Sequence, residues 1–132
     1  MYGSNSPFTN CPETRTMIKS IGLLKRRPGM SVAEFRAYYE TKHRVIGEKY
    51  LTGFVSRYVR RFLEPADGRS SDENEFDVIL EIWYADEDAY ERCNVNLARP
   101  EVRAEIIADE EQLFDRSRSR FFLVEEHESD LS

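Results

Sequence analysis

Two stretches of the sequence alternate as β-strands do, and both are apolar on each side of the alternation. Residues 54–63 place aromatic side chains on one side and valines and arginines on the other. Residues 76–84 repeat the pattern, with Ile79 and Trp83 opposite a second apolar row. Alternation with a period of two predicts strands. Because a sheet that is apolar on both faces must be covered twice, we expect helices on one face and a partner on the other.

The segment before these strands carries the clearest helix signal in the chain. Ser31 and Glu34 have the spacing of a capping box, in which each side chain accepts a hydrogen bond from the backbone N–H of the other. Aromatic and apolar residues then recur at helical spacing as far as Ile46, and Gly47 predicts the end of the helix. His43 falls on the aromatic face of this predicted helix, so we expect it to face the interior.

Apolar periodicity defines the remaining elements. Residues 17–24 predict a first strand, and the polar residues 64–75 predict a loop between the two alternating strands. A second helical region follows Asp86 and restarts at Pro100, and residues 118–126 alternate as a last strand. The order strand, helix, strand, strand, helix, strand predicts an α+β chain with the ferredoxin-like βαββαβ fold and an antiparallel four-stranded sheet.

The two ends of the chain differ from the part between them. Residues 1–16 mix Gly, Ser, Asn, Pro and Thr without a period and predict a flexible N-terminal tail, and residues 128–132 predict a solvated acidic end. One domain then spans residues 17–127, which is close to the size of a single ferredoxin-like unit. A unit this small with an apolar outer sheet face predicts a homodimer in which two sheets face each other.

Composition narrows the possible partners. The chain of 132 residues has a formal net charge of −6, which argues against binding nucleic acid through its phosphates. No apolar run exceeds four residues, whereas a membrane helix needs about 20, so we expect a cytoplasmic protein without membrane contact. The two cysteines and two histidines lack metal-ligand spacing, and the six glycines lack phosphate-binding spacing. We therefore expect no disulfide, no metal and no nucleotide cofactor.

Short motifs along the chain carry a resemblance to a known family. They are Lys-Arg-Arg-Pro-Gly-Met-Ser at residues 25–31, Glu-Phe-Arg-Ala-Tyr-Tyr-Glu at 34–40, Lys-His at 42–43, Tyr-Val at 58–59, the strand from Phe76 to Trp83, and Ala-Asp-Glu at 108–110 followed by Phe114. In this order and spacing the chain resembles the EthD family of the dimeric α/β-barrel superfamily. The resemblance implies a homodimer whose protomers each hold a pocket between helices and sheet.

Proteins of this architecture include cofactor-independent monooxygenases, cyclases and dehydratases that act on aromatic or polyketide-like substrates. The resemblance therefore implies a small cofactor-independent enzyme, and it does not choose among oxidation, dehydration, decarboxylation and cyclisation. The alternative is a non-catalytic dimeric protein that binds a small apolar ligand or assists a degradation pathway. This alternative stays open because the sequence contains no catalytic-triad, phosphate-loop or metal motif.

His43 and Asp109 are the candidate catalytic residues. Histidine exchanges protons near neutral pH, but the residues alone favour a structural role for His43, as a helix cap or a packed core group. The resemblance favours a catalytic role instead, because it matches His43 to the helix-borne histidine of EthD-like sequences. It implies that His43 is a general acid or base. Asp109, in the Ala-Asp-Glu motif, is the candidate partner that orients the imidazole. Alternatively, Asp109 or Glu110 caps the turn before Phe114.

Three aromatic residues are candidates for substrate binding. Tyr39 and Trp83 would line an aromatic cavity, and the Tyr58 hydroxyl could bond a substrate carbonyl or enolate. Core packing or burial in a dimer explains Tyr39 and Trp83 equally well, and a tyrosine such as Tyr58 is more often a core residue with a polar tip. The basic groups at residues 25–27 and 57–61 are expected to pair with acidic side chains at the surface, and we assign them no site.

Overall fold

A computed structural model describes residues 17–68 and 73–132 of the chain. The predicted tail over residues 1–16, with Cys11 in it, lies outside the described residues. The strands are β1 Ile18–Leu24, β2 Val55–Phe62, β3 Val78–Tyr84 and β4 Arg120–Leu123, and the helices are α1 Val32–Tyr38, α2 Arg44–Leu51, α3 Glu87–Leu97 and α4 Pro100–Glu110. A π-helical turn, Tyr39–His43, joins α1 to α2, and a short 3₁₀ turn, Arg116–Arg118, precedes β4.

The four strands form one sheet in the order β2-β3-β1-β4. All neighbouring strands are antiparallel, and β1 pairs with β3 along its whole length, from Ile18 opposite Tyr84 to Leu24 opposite Val78. Helices connect β1 to β2 and β3 to β4, while β2 leads directly to β3. This is the ferredoxin-like arrangement. The predicted α+β fold is therefore confirmed.

Local signals start the helices where the sequence predicts them. The Ser31 hydroxyl accepts from the Glu34 amide at 3.0 Å, and a Glu34 carboxylate oxygen accepts from the Ser31 amide at 2.9 Å. Asp86 caps α3 by accepting from the Ala89 amide at 2.8 Å. Pro100 occupies the first turn of α4. Backbone N–H groups there have no partner within the helix, so the N–H that proline lacks costs no hydrogen bond.

The first helix does not end at Gly47, which corrects the sequence prediction. It continues to Leu51, and the chain turns away at Gly53 with a φ of 94°. The π-helical turn inserts one extra residue into the helix and so rotates every later residue around its axis. After this rotation Gly47 faces the ring of Tyr58, and a Cβ at Gly47 would lie 2.9 Å from the Tyr58 hydroxyl. Glycine is needed here for close packing rather than for a stop.

One face of the sheet carries the core. The strand residues of the core are the even-numbered residues of β1 and β3, so both halves of the core lie on the same face, under the helices. Tyr58 and Ile82 pack against both halves. One half contains Leu24, Phe35, Tyr39, Val78, Leu80, Leu113 and Phe114, and the other contains Ile18, Leu51, Tyr84, Ala89, Tyr90 and Cys93.

The other face of the sheet, which we call the outer face, has none of the described helices against it and mixes apolar and charged side chains. The strand registers place Lys19, Ile21, Leu23, Arg57, Val59, Arg61, Ile79, Glu81, Trp83 and Phe122 on it. The Trp83 ring lies between the Lys19 ammonium at 3.9 Å and the Arg57 guanidinium at 4.7 Å. The predicted second apolar face is thus present, though it is interrupted by charge.

Lys25 and Arg26 are buried, which corrects the expectation that they pair at the surface. The Asp77 carboxylate accepts from the Arg26 amide at 2.7 Å and lies 3.5 Å from the Lys25 ammonium. All three side chains are under a tenth exposed. Burial of charge requires such pairing. This cluster ties the end of β1 to the residue that precedes β3.

Candidate functional site

His43 and Asp109 are brought together in the interior. His43 ends the π-helical turn, and Asp109 lies in the last turn of α4. The His43 Nδ1 atom is 2.6 Å from an Asp109 carboxylate oxygen, Oδ2. The two residues are 8% and 7% exposed. This distance and this burial match a histidine held by a carboxylate. The Asp109 side chain therefore bonds to His43 and does not cap the turn before Phe114.

Tyr38 is a member of this site that the sequence reasoning did not assign to the chemistry. Its hydroxyl donates to the other Asp109 oxygen, Oδ1, at 2.7 Å. Both carboxylate oxygens are therefore bonded, one to a tyrosine and one to a histidine. Burial, followed by the hydrogen bond and the charge of Asp109, raises the pKa of Tyr38 to about 12. The phenol consequently stays protonated and remains a donor throughout the physiological range.

The His43 ring is held between two aromatic rings. Tyr39 meets it edge-on with centroids 4.8 Å apart, and Phe114 does so at 5.2 Å. The turn after α4 places Phe114, because its amide donates to the carbonyl of Glu110 at 2.8 Å. Edge-to-face packing of this kind restricts rotation of the imidazole and keeps water from its faces.

The three candidate substrate-binding residues do not share one site. Tyr39 and Tyr58 lie in the core with their hydroxyl oxygens 3.5 Å apart, and burial raises the pKa of both phenols. Trp83 lies on the outer face, since its neighbours Ile82 and Tyr84 point into the core. The sequence placed Trp83 with the site because it is aromatic and alternates, but the sheet separates it from His43.

A cavity of about 220 Å³ lies next to the catalytic candidates, between the end of α4 and the β1–β4 edge of the sheet. It is lined by Leu24, Glu110, Phe114, Arg116, Ser119 and Phe121. Phe114 links it to the histidine, since the Phe114 ring contacts His43. His43 itself is not among the lining residues.

The carboxyl of Glu110 forms part of the cavity wall. Its Oε1 atom is 3.3 Å from the Arg116 Nε atom. Burial raises the pKa of Glu110, and the Asp109 charge adds to this rise, while His43 and Arg116 oppose it. Glu110 is thus a weaker acid than an exposed glutamate. Its carboxylate accordingly has a greater affinity for a proton.

The described residues offer neither a metal site nor a membrane-spanning helix. Over residues 17–68 and 73–132, no group of three or more His, Cys, Asp or Glu side chains is close enough to hold a metal ion. None of the helices in that part of the chain combines the length and apolar character that crossing a membrane requires. Cys93 is a buried free thiol.

Comparison with known proteins places the fold. A protein of the ethyl tert-butyl ether degradation (EthD) family from Bacillus halodurans is 17% identical, with a TM-score of 0.60 over 84% of this chain and 99% of that one. A variant of SnoaB, a cofactor-independent oxygenase from Streptomyces nogalater, is 16% identical, with a TM-score of 0.54 over 89% and 99%. A dimeric protein of unknown function and ferredoxin-like fold from Bacteroides fragilis is 14% identical, with a TM-score of 0.52 over 83% and 94%.

These structural likenesses, at such low identity, concern the fold alone. No curated protein matches the chain. The model of the EthD domain, however, matches residues 27–117, which include the capped helix, both alternating strands, His43 and Asp109. This match covers well over half of the chain and confirms the resemblance found in the motifs. The chain belongs to the EthD family.

Proposed function

We propose that this EthD-family protein is a cofactor-independent enzyme in which His43 moves a proton on an aromatic or polyketide-like small molecule. The buried contact of 2.6 Å between His43 and Asp109 carries the proposal. A histidine that only caps a helix needs no carboxylate of its own from another helix. SnoaB, which has a similar fold, is a cofactor-independent oxygenase, and this supports chemistry without a cofactor on such a scaffold.

The two nitrogens of the imidazole have different roles in this proposal. A carboxylate only accepts hydrogen bonds, so Nδ1 carries the proton that Asp109 accepts, and Nε2 keeps its lone pair. Nε2 is then the atom that takes a proton from a substrate. The Asp109 charge stabilises the imidazolium that forms. Tyr38 holds the second carboxylate oxygen at 2.7 Å and keeps Asp109 in that orientation.

Removal of a proton is the step that the candidate reactions share. An activated C–H or O–H of an aromatic ketone or phenol leaves an enolate or phenolate when it is deprotonated. Such an anion can react with dioxygen or close a ring. It can also expel hydroxide, which leaves as water after it takes the proton back from the imidazolium, or lose carbon dioxide from a carboxylated ring, whose carbon then takes that proton. The substrate then decides the outcome, and the protein supplies the base and an aromatic enclosure.

A panel of compounds tests this function. Phenols, polycyclic hydroxyaromatic ketones and their carboxylated forms are incubated with the protein, and mass spectrometry follows gain of oxygen, loss of water, loss of carbon dioxide or ring closure. We expect His43→Ala to lower turnover by about 10²–10⁴-fold. His127→Ala is the matched control, because His127 has a side chain that is 83% exposed. An unchanged rate in His43→Ala, with the fold intact by circular dichroism, would exclude the assigned role.

One observation favours the alternative, a non-catalytic protein that binds a small ligand or serves an accessory role in degradation. The cavity of about 220 Å³ is lined by Glu110 and Arg116 but not by His43. A binding protein would need the cavity and not the histidine. Native mass spectrometry separates the two functions: a ligand that co-purifies with both the natural chain and His43→Ala, and is altered by neither, favours binding alone.

We infer that a second copy of the chain covers the outer face. Half-buried side chains such as Ile21, Val59 and Ile79 lie there without a helix against them. The Bacteroides fragilis protein of similar fold is dimeric. Light scattering at micromolar concentration should give a dimer for the natural chain and a monomer for Ile21→Glu. Val95→Glu, at a position 70% exposed on α3, should remain dimeric. A monomeric natural chain would contradict the inference.

A further inference from the structure

The cavity beside α4 exists because no described element of the chain covers the helix side of the β1–β4 edge. Helix α4 ends at Glu110, and β4 is a short edge strand of four residues. Gly22, opposite Phe121 in the register, leaves room for the phenyl ring, since a Cβ there would lie 2.8 Å from the ring. Phe121 therefore leans over β1 and forms one wall, although it is itself 62% exposed.

The walls of this cavity differ in character. Leu24, Phe114 and Phe121 form an apolar side that contains two phenyl rings. Glu110, Arg116 and Ser119 form a polar side. The ion pair of Arg116 with Glu110 is at the mouth, where the Arg116 side chain is 45% exposed. A flat apolar molecule with one polar substituent fits such a pair of walls.

Charge and volume narrow the ligand further. Glu110 lies at this wall, where Arg116 pairs with it. A hydroxyl group of a ligand would donate to Glu110, whose raised pKa makes its carboxylate a stronger acceptor. The volume of about 220 Å³ is below the roughly 300–1,000 Å³ of pockets for drug-sized ligands. A ligand of one or two fused rings matches this volume.

We propose that this cavity is a binding site for a small phenol of one or two rings, with Glu110 accepting from its hydroxyl and Phe114 and Phe121 contacting its ring. The proposal rests on the proposed function for the class of ligand, because the cavity adjoins His43 through the Phe114 ring. A bound ring would contact the phenyl ring of Phe114. The centroid of that phenyl ring lies 5.2 Å from the centroid of the His43 imidazole. Because Glu110 accepts the hydrogen bond of the ligand hydroxyl, it is the residue that selects a hydroxylated ligand.

Binding of 2-naphthol, measured by isothermal titration at neutral pH, tests the site, and 2-methoxynaphthalene is the probe without a hydroxyl donor. We expect Glu110→Gln to weaken binding of 2-naphthol by about tenfold, the value of a charge-assisted hydrogen bond, and to leave 2-methoxynaphthalene unaffected. Glu111→Gln is the matched control, since Glu111 is an exposed neighbour outside the cavity. Phe121→Ala should weaken binding of both probes.

Two results would overturn the proposal. One is an equal affinity for 2-naphthol in the natural chain and in Glu110→Gln, and the other is no binding of 2-naphthol to the natural chain. Because Phe121 is exposed, Phe121→Ala keeps the site testable if Glu110→Gln does not fold. The assay needs no turnover, so a failure here is distinct from a failure of His43 as a base.

Discussion

His43 and Asp109 are 66 residues apart in the sequence, yet His43 Nδ1 and Asp109 Oδ2 are 2.6 Å apart. The contact joins the π-helical turn of the first helix to the last turn of α4. Tyr38 reaches the same carboxylate from the residue just before that turn. Tyr38, Tyr39 and His43 thus meet Asp109 and its neighbours at this turn, and π-helical turns are frequent at functional sites.

Removing the Tyr38 hydroxyl should destabilise the site. In Tyr38→Phe, Asp109 Oδ1 loses its donor while it remains buried, so we expect the free energy of unfolding to fall by about 1–3 kcal/mol. Urea denaturation measures this. Tyr50→Phe is the matched control, because the Tyr50 hydroxyl donates to the half-exposed Glu105 carboxylate and its loss should cost about 0.5 kcal/mol or less. Equal losses in the two variants would contradict the special role of Tyr38.

Alanine at position 47 should be destabilising, against the usual rule for helices. Alanine normally stabilises a helix interior by about 0.5–1 kcal/mol relative to glycine. At Gly47, however, a Cβ would be 2.9 Å from the Tyr58 hydroxyl, and we expect a loss of about 1–3 kcal/mol in thermal or urea unfolding. The loss should be smaller in a Tyr58→Phe background, which removes that oxygen. A more stable Gly47→Ala variant would show that Tyr58 does not approach the helix so closely.

Asp77 should be among the most important polar residues for stability. Asp77→Asn leaves the buried Lys25 and Arg26 without their shared carboxylate, and the free energy of unfolding should fall by about 3–5 kcal/mol. Glu73→Gln is the control, since Glu73 lies 3.8 Å from Arg26 but has a side chain that is 80% exposed; its change should stay within about 0.5 kcal/mol. Similar effects of the two substitutions would argue against a buried charge cluster.

Glu110 should make the stability of the protein depend on pH in a defined direction. Burial raises its pKa above 4.5, so the folded state retains a proton that the unfolded state has already released. The free energy of unfolding therefore falls as the pH rises from the pKa of Glu110 in the unfolded state to its higher pKa in the folded state. Compared with Glu110→Gln, the natural chain should become progressively less stable as the pH rises from about 4.5 through the raised pKa of Glu110. Glu111→Gln should show no such trend. If the natural chain and Glu110→Gln differed in free energy of unfolding by the same amount at every pH, the raised pKa of Glu110 would be contradicted.

Features that depend on neighbouring residues could be predicted from the sequence. The capping box at Ser31 and Glu34, the alternation of β2 and β3, and the restart at Pro100 all express local physical rules, and the structure confirms them. The order of these elements was enough to predict the ferredoxin-like sheet. His43 was placed inward because it is one helical turn after Tyr39.

Features that depend on tertiary contact could not be predicted in the same way. Gly47 looked like a helix stop because helical periodicity contains no sign of a π-helical turn or of the Tyr58 hydroxyl behind it. Lys25 and Arg26 looked exposed because their partner, Asp77, is about 50 residues away in the chain. Aromatic character likewise does not reveal a sheet face, and Trp83 therefore lies on the far side from His43.

The central claim is that His43 and Asp109 act as one unit in proton transfer, and a double-mutant cycle on kcat tests it most directly. The rates of His43→Ala, Asp109→Asn and the double variant are compared for a compound that the natural chain turns over. Members of one catalytic unit are not additive, so the double variant should be no slower than His43→Ala alone. A double variant whose loss in kcat equals the product of the two single losses would contradict the claim. An Asp109→Asn variant with the kcat of the natural chain would contradict it as well.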